Sequence, residues 1–460
     1  MRLPPYALLL ALVASTGLLA GCKDEPVAPP AAPVPPQTAA PAAARPALSF
    51  DEALKQAQAQ QLPLLVDFHA PWCYSCYYMA TNVLNGAEWQ ALEQRALVVE
   101  VDADSPEGAA LKARYGIKAL PSYLMLAADG RELGRILGER TRAEFYAAAT
   151  GMLDRGQTLD TLAAEVRDSA PASRQAALTV LKSYHARYDA EGGLQWLAQL
   201  PPPVREALQG DAETQLAIER LRFLRAAQNQ DAQAALVSGQ QVLSGALGCE
   251  RAYELGRYLE FASAAPDAAA RLSAQRPAIE RLLADGVFGA TPCADQRSVV
   301  LVAADLYAAQ ADRAAQQALL QRAIGEVAKQ IGDDLRKDRN LSDNLRVYTD
   351  QLAALTGDYA ALDALMPKLI ATWPGDYVYA SRYGRSLLAR GRAAEALPYL
   401  EQAAQQAYGI NRLKVAQERV QALQALDRGA EARTVVAETL KANGPWFPEE
   451  AAKLKALLQG

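Results

Sequence analysis

The chain has 460 residues, of which 51% are hydrophobic, 7% aromatic and 22% charged. That length allows two to three domains with ample core, and an apolar fraction dominated by Ala and Leu favours helix over sheet. A net charge of -5 argues against a broad nucleic-acid surface, 2 histidines against a His-based metal centre, and 5 cysteines against a disulfide-stapled miniprotein.

Residues 1–21 read as a processing segment. Arg2 supplies the positive start, and Tyr6 to Leu19 form an apolar stretch of about 14 residues, short of the ~20 that span a bilayer. The segment ends Leu19-Ala20-Gly21-Cys22. This resembles a bacterial lipobox, which implies cleavage before Cys22 and a thioether-linked lipid on its sulfur. An ordinary secretory signal with a coincidental cysteine is the alternative. Residues 22–47 are rich in Pro and Ala, a composition that stays extended and cannot bury a core. They suit a disordered spacer between a membrane and a soluble body. Among lipoproteins of this kind, Lys23 after the lipid cysteine goes with the outer membrane more than the inner.

Order is expected from about residue 48. Ser49 and Glu52 have capping-box spacing for a helix to about Gln60. After Pro63, Leu64 to Phe68 read as a buried strand interrupted by Asp67, whose ionisation there costs several kcal/mol without a partner. Trp72-Cys73-Tyr74-Ser75-Cys76 follows at a strand-to-helix junction. A Cys-x-x-Cys there has a specific use. Amide N–H groups and the helix dipole stabilise a thiolate on the first sulfur, and the second lies one turn on, within bonding reach. Met79 to Leu84 should extend that helix. Leu97 to Asp102 reads as a strand, Ser105-Pro106 as the start of a helix ending near Gly116, and Tyr123 to Leu126 as a strand. Asp129-Gly130 marks a hairpin returning to Ile136, and Thr141 and Glu144 cap a helix to about Leu153.

The combination of Asp67, Trp72-Cys73-x-x-Cys76, Gly116-Ile117 and Pro121 at a strand start resembles the thioredoxin fold, a mixed sheet flanked by helices. It is similar in particular to the C-terminal domain of the DsbD-type transmembrane reductases. The resemblance covers residues 48–155. It implies Cys73 as the attacking thiolate, Cys76 as the buried resolving thiol, Asp67 as the proton relay beneath the disulfide and Pro121 as a cis-proline facing the sulfurs. Trp72, Tyr74, Ser75 and Leu120 would form the substrate-binding face. Tyr74-Ser75 replaces the Gly-Pro common in cytosolic members, Tyr77 replaces a frequent lysine, and His69 stands where an aromatic is usual. The direction of exchange is therefore open. A zinc knuckle lacks two further ligands at suitable spacing, so no metal or organic cofactor is expected. A purely structural Cys73–Cys76 bridge would close too short a loop to stabilise much.

From 156 to 460 strand patterns vanish and Gly or Pro breaks recur every 15 to 20 residues. Gly357-Asp358 lies 34 residues before Gly391-Arg392, the period of tetratricopeptide (TPR) repeats, and a looser copy follows at Arg428-Gly429. Gln230-Asp231 and Ala311-Asp312 read as further helix joints. This half resembles an all-α TPR-like solenoid. Either a concave partner-binding surface or a scaffold packed on the redox domain would follow. Cys249 and Cys293, each beside a turn signal, form a structural disulfide or remain two buried thiols. Tyr253, Tyr258, Tyr377 and Tyr379 read as helix packing.

Together these readings imply a periplasm-facing envelope lipoprotein that exchanges disulfides with protein clients and takes electrons from a DsbD-like membrane dithiol. A co-chaperone module with secondary redox activity, and an oxidase or isomerase, are the alternatives.

Overall fold

The computed structural model describes residues 48–168 and 173–458, which belong to one unit, Ala47–Gly460. The signal segment, the Cys22 lipid site and the 22–47 spacer lie outside the described residues. Helix α1 (Phe50–Gln60) carries the expected capping box, with Ser49 and Glu52 bonded reciprocally. Strand β1 (Leu64–His69) enters the centre of a four-stranded sheet. It pairs in parallel with β2 (Leu97–Asp102) and antiparallel with β3 (Ser122–Leu126), and β3 pairs antiparallel with β4 (Glu132–Leu137). The order β2-β1-β3-β4 is a mixed sheet. Alternate side chains go to opposite faces. Leu65, Tyr123 and Met125 join one core with Phe145 and Met152, while Leu64, Val66, Phe68, Leu124 and Leu126 join another with Phe50.

Helix α2 (Tyr74–Asn82) starts within the cysteine motif and stops two residues before the expected Leu84. The cause is long-range. The Arg142 guanidinium donates to the Asn82 and Val83 carbonyls at 3.1 Å each, and Gly86 at φ 75° turns the chain into an additional helix, α3 (Gly86–Glu93). Such a cap is invisible to local patterning, because its donor lies some 60 residues downstream. Helix α4 (Pro106–Tyr115) begins on Ser105 and ends on left-handed Gly116, and α5 (Arg142–Arg155) begins on the Thr141–Glu144 box.

Beyond α5 the described residues contain helices and no strands. They form antiparallel hairpins whose joints share a backbone device. Gln230, Ala311 and Asp427 each adopt a left-handed φ of 55–57° at the turn. Asp231 and Asp312 then accept the amide of the third helical residue, from Ala234 and Ala315 at 3.0 Å each. Gly384 lies where a Cβ would press on Leu400 of the neighbouring helix, so its lack of a side chain lets the two helices close. Cys249 and Cys293 are bonded, with Cα atoms 5.8 Å apart. Tyr258, Tyr377 and Tyr379 are buried as expected; Tyr253 is 40% exposed and donates to Asp295 at 2.6 Å. Among the described residues no helix is long and apolar enough to cross a membrane.

Candidate active site

Cys73 is the N-cap of α2. Its Sγ accepts the Cys76 amide at 3.1 Å, and the two sulfurs are bonded at 2.06 Å. The first sulfur therefore sits where helix amides converge, which stabilises its thiolate once the bond opens. Asp67 lies in mid-β1, between Glu100 of β2 and Tyr123 of β3 in register. One of its carboxylate oxygens is sealed from solvent without a hydrogen-bond partner. Burial, helped by the Glu100 charge, pushes its pKa up to about 8. The Leu120–Pro121 bond is cis, Pro121 immediately precedes Ser122 opposite Phe68 of β1, and the Pro121 carbonyl accepts the Gly138 amide at 2.9 Å.

The exposure of the cysteines reverses the expectation. Cys73 is 4% exposed, and Cys76, expected to be the buried partner, is the more exposed of the two. The residues around Cys73 account for this. Tyr74, expected to face substrate, is 1% exposed and belongs to the core of the C-terminal helices. Its hydroxyl donates to Asp376 at 2.8 Å, and its ring lies 5.5 Å from that of Tyr379 and 5.2 Å from the Arg382 guanidinium. Trp72 and Tyr77 pack against the same core. Trp72 Nε1–H donates to Asp104 at 2.5 Å, and the same carboxylate oxygen accepts from Asn411 at 2.6 Å. Tyr408 donates to Asp102 at 2.5 Å. Arg339 bonds Asp376 at 2.7 Å and stacks 3.9 Å from the Tyr77 ring centroid. Ser75 and Leu120 remain half-buried.

Several site neighbours were missed by sequence reasoning. Glu139, in the loop after β4, is buried. Burial and the Asp295 charge push its pKa up to about 8, against the pull of Ser75 and Arg297. Asp104, Arg339, Asp376 and Asn411 also went unread. No local signal marks them, since Asp376 and Asn411 reach the site from 302 and 307 residues downstream of their partners. Among the described residues no cluster of three or more His, Cys, Asp or Glu is placed to hold a metal.

The raised acids have a measurable consequence. Between the ordinary aspartate pKa of 3.8 and about 8, folded Asp67 keeps a proton that the unfolded chain has released. Stability therefore falls as pH rises through that window. Asp67→Asn should flatten the fall and raise stability at pH 8, as read by urea unfolding at pH 5 and pH 8. Glu139 titrates in the same window and should leave a residual slope. An unchanged slope in the variant would show that Asp67 does not hold its proton there.

A mixed sheet, a bonded cysteine pair at a helix start, a buried acid in the central strand and a cis-proline define a thiol–disulfide oxidoreductase domain of thioredoxin type. Residues 50–151 match the family model described as "Thioredoxin-like domain", and the chain belongs to the thioredoxin family through that stretch. It is 36% identical over 77 residues to Thioredoxin 1 of Synechococcus elongatus, covering 17% of this chain and 67% of that one. It is 36% identical over 92 residues to the thiol:disulfide interchange protein DsbD of Neisseria meningitidis, covering 20% of this chain. The chain spans only 15% of that DsbD's length. A solution structure of a thioredoxin from Thermus thermophilus matches with 34% identity over 23% of this chain and 85% of that one, at a TM-score of 0.23.

Proposed function

We propose that this protein is a cell-envelope reductase of protein disulfides, anchored by a lipid on Cys22 and facing the periplasm. In this reading residues 1–21 are removed, 22–47 tether, 48–155 carry the chemistry, and 156–460 form a TPR-like support. The observation that carries it is the bonded Cys73–Cys76 pair at the start of α2, in a domain whose central strand carries the buried Asp67. The likeness to DsbD thiol:disulfide interchange proteins supports thiol–disulfide exchange in an envelope setting.

In the reduced enzyme, Cys73 thiolate attacks one sulfur of a client disulfide. A Cys73–client bond forms, the client bond breaks, and the departing client sulfur takes a proton. Asp67 exchanges its own proton near pH 8, and its ionised form accepts the Cys76 proton. Cys76 then attacks Cys73, and the second client sulfur leaves and is protonated. Two electrons and two protons pass to the client, and the enzyme ends as the disulfide. A membrane dithiol of the DsbD kind would return the electrons.

The test is equilibration with glutathione at known ratios. A reductase should poise near the ~−270 mV of thioredoxin, and a value near the ~−120 mV of DsbA would make the protein an oxidant instead. In a Cys76→Ala variant the first mixed disulfide should persist, so that clients can be captured and identified.

A further inference from the structure

Thiol–disulfide exchange requires the incoming disulfide to reach the attacking sulfur directly. A folded protein presenting a disulfide also needs a docking face, and specific protein contacts cover about 800 Å² on each partner. Here the chain's own helices already occupy the flank of Cys73. Trp72, Tyr74 and Tyr77 pack against the C-terminal core. Tyr74 is bonded to Asp376, and the Asp104 that holds Trp72 is shared with Asn411. Gly409 closes the clamp. At φ 54° it lies against the Asp104 carbonyl so tightly that a Cβ would collide with it. Solvent still reaches parts of Trp72, Ser75, Cys76 and Leu120.

Resting on the oxidoreductase reading, we infer that the helical region is the specificity element of the site. It excludes disulfides set in folded surfaces and admits those on a narrow, extended carrier. The elements responsible are the helix Arg339–Thr356, the start of Tyr377–Ala389 at Asp376, and the Tyr408–Asn411 turn opening the helix Gly409–Ala425. The same covering removes Tyr74 from the substrate face.

The experiment compares three substrates on the full chain: glutathione disulfide, an unfolded peptide with one disulfide, and a folded protein with a surface disulfide. The unfolded peptide should be reduced at least about a hundredfold faster than the folded protein. Gly409→Val, which wedges the turn off Asp104, should raise the folded-protein rate at least tenfold and leave the glutathione disulfide rate unchanged. Should that variant fail to fold, Asn411→Ala, which removes one clamp bond, makes the same comparison at a smaller gain. A wild-type rate on the folded protein within threefold of the peptide rate overturns the inference, as does a rate ratio unmoved in both variants. A protein inert towards all three substrates, and no different from Cys73→Ser, would overturn the oxidoreductase reading instead.

Discussion

Cys73→Ser is expected to lower turnover of a small model disulfide by about a thousandfold or more, because a serine hydroxyl cannot supply the thiolate that the exchange consumes. The fold should hardly notice. The hydroxyl can still accept the Cys76 amide at the start of α2, and serine is a favourable N-cap. The measurement is the rate of reduction of a chromogenic disulfide with dithiothreitol as donor, beside a circular-dichroism spectrum of the same sample. Cys76→Ala should differ in kind. It retains the first attack, so one equivalent of leaving thiol is released before turnover stops. If Cys73→Ser keeps turning over, the chemistry does not run through this pair.

Asp343→Ala should cost about 3–5 kcal/mol of stability, the range found when one partner of a buried ion cluster is removed. Its carboxylate is fully buried and lies 2.6 Å from Arg346, 2.8 Å from Arg382 and 3.1 Å from Arg297. Burial alone would raise its pKa, but these three guanidinium groups hold it far below the usual carboxylate range. A group depressed in this way adds stability above its unfolded pKa and loses it as pH falls towards the folded value. Without Asp343, three arginines face one another with little compensation. Arg382 and Arg297 also flank the Tyr74 ring at 5.2 and 6.0 Å, so the damage should extend to the support of α2. Urea denaturation at pH 7 gives the loss. A variant within about 1 kcal/mol of wild type would show that the cluster adds no more than a surface ion pair does.

The elements of the redox domain were legible wherever their cause is local. Ser49 with Glu52, Thr141 with Glu144, Ser105 before Pro106, and Asp129-Gly130 each specify a helix start or a turn within four residues, and each appears as read. A carboxylate amid the apolar residues of β1 announced itself by its cost, and its raised pKa follows from the same burial. What escaped was whatever depends on distant chain. The early stop of α2 comes from Arg142, and the burial of Tyr74 from Asp376 and its neighbours. Glu139 looked like any loop acid, because its desolvation arises from packing beside Ser75 and near Asp295. The expected concave groove and the alternative scaffold were indistinguishable as patterns, since an apolar helix stripe reads the same whatever covers it. Around Trp72 and Tyr74 the cover is the chain's own redox domain.

The anchoring of Tyr74 alters what the dipeptide between the cysteines can do. In an isolated domain that pair of residues can be exchanged to adjust how readily the sulfurs give up electrons. Here the first of the two is also a rivet joining regions 302 positions apart in sequence. Grafting in Gly-Pro would vacate an aromatic berth lined by arginines and aspartates, so electron affinity and architectural integrity are tied to one side chain. Change at position 74 must then be matched at positions 376, 379 and 382, and the motif cannot be transplanted into or out of this chain as a free-standing cassette.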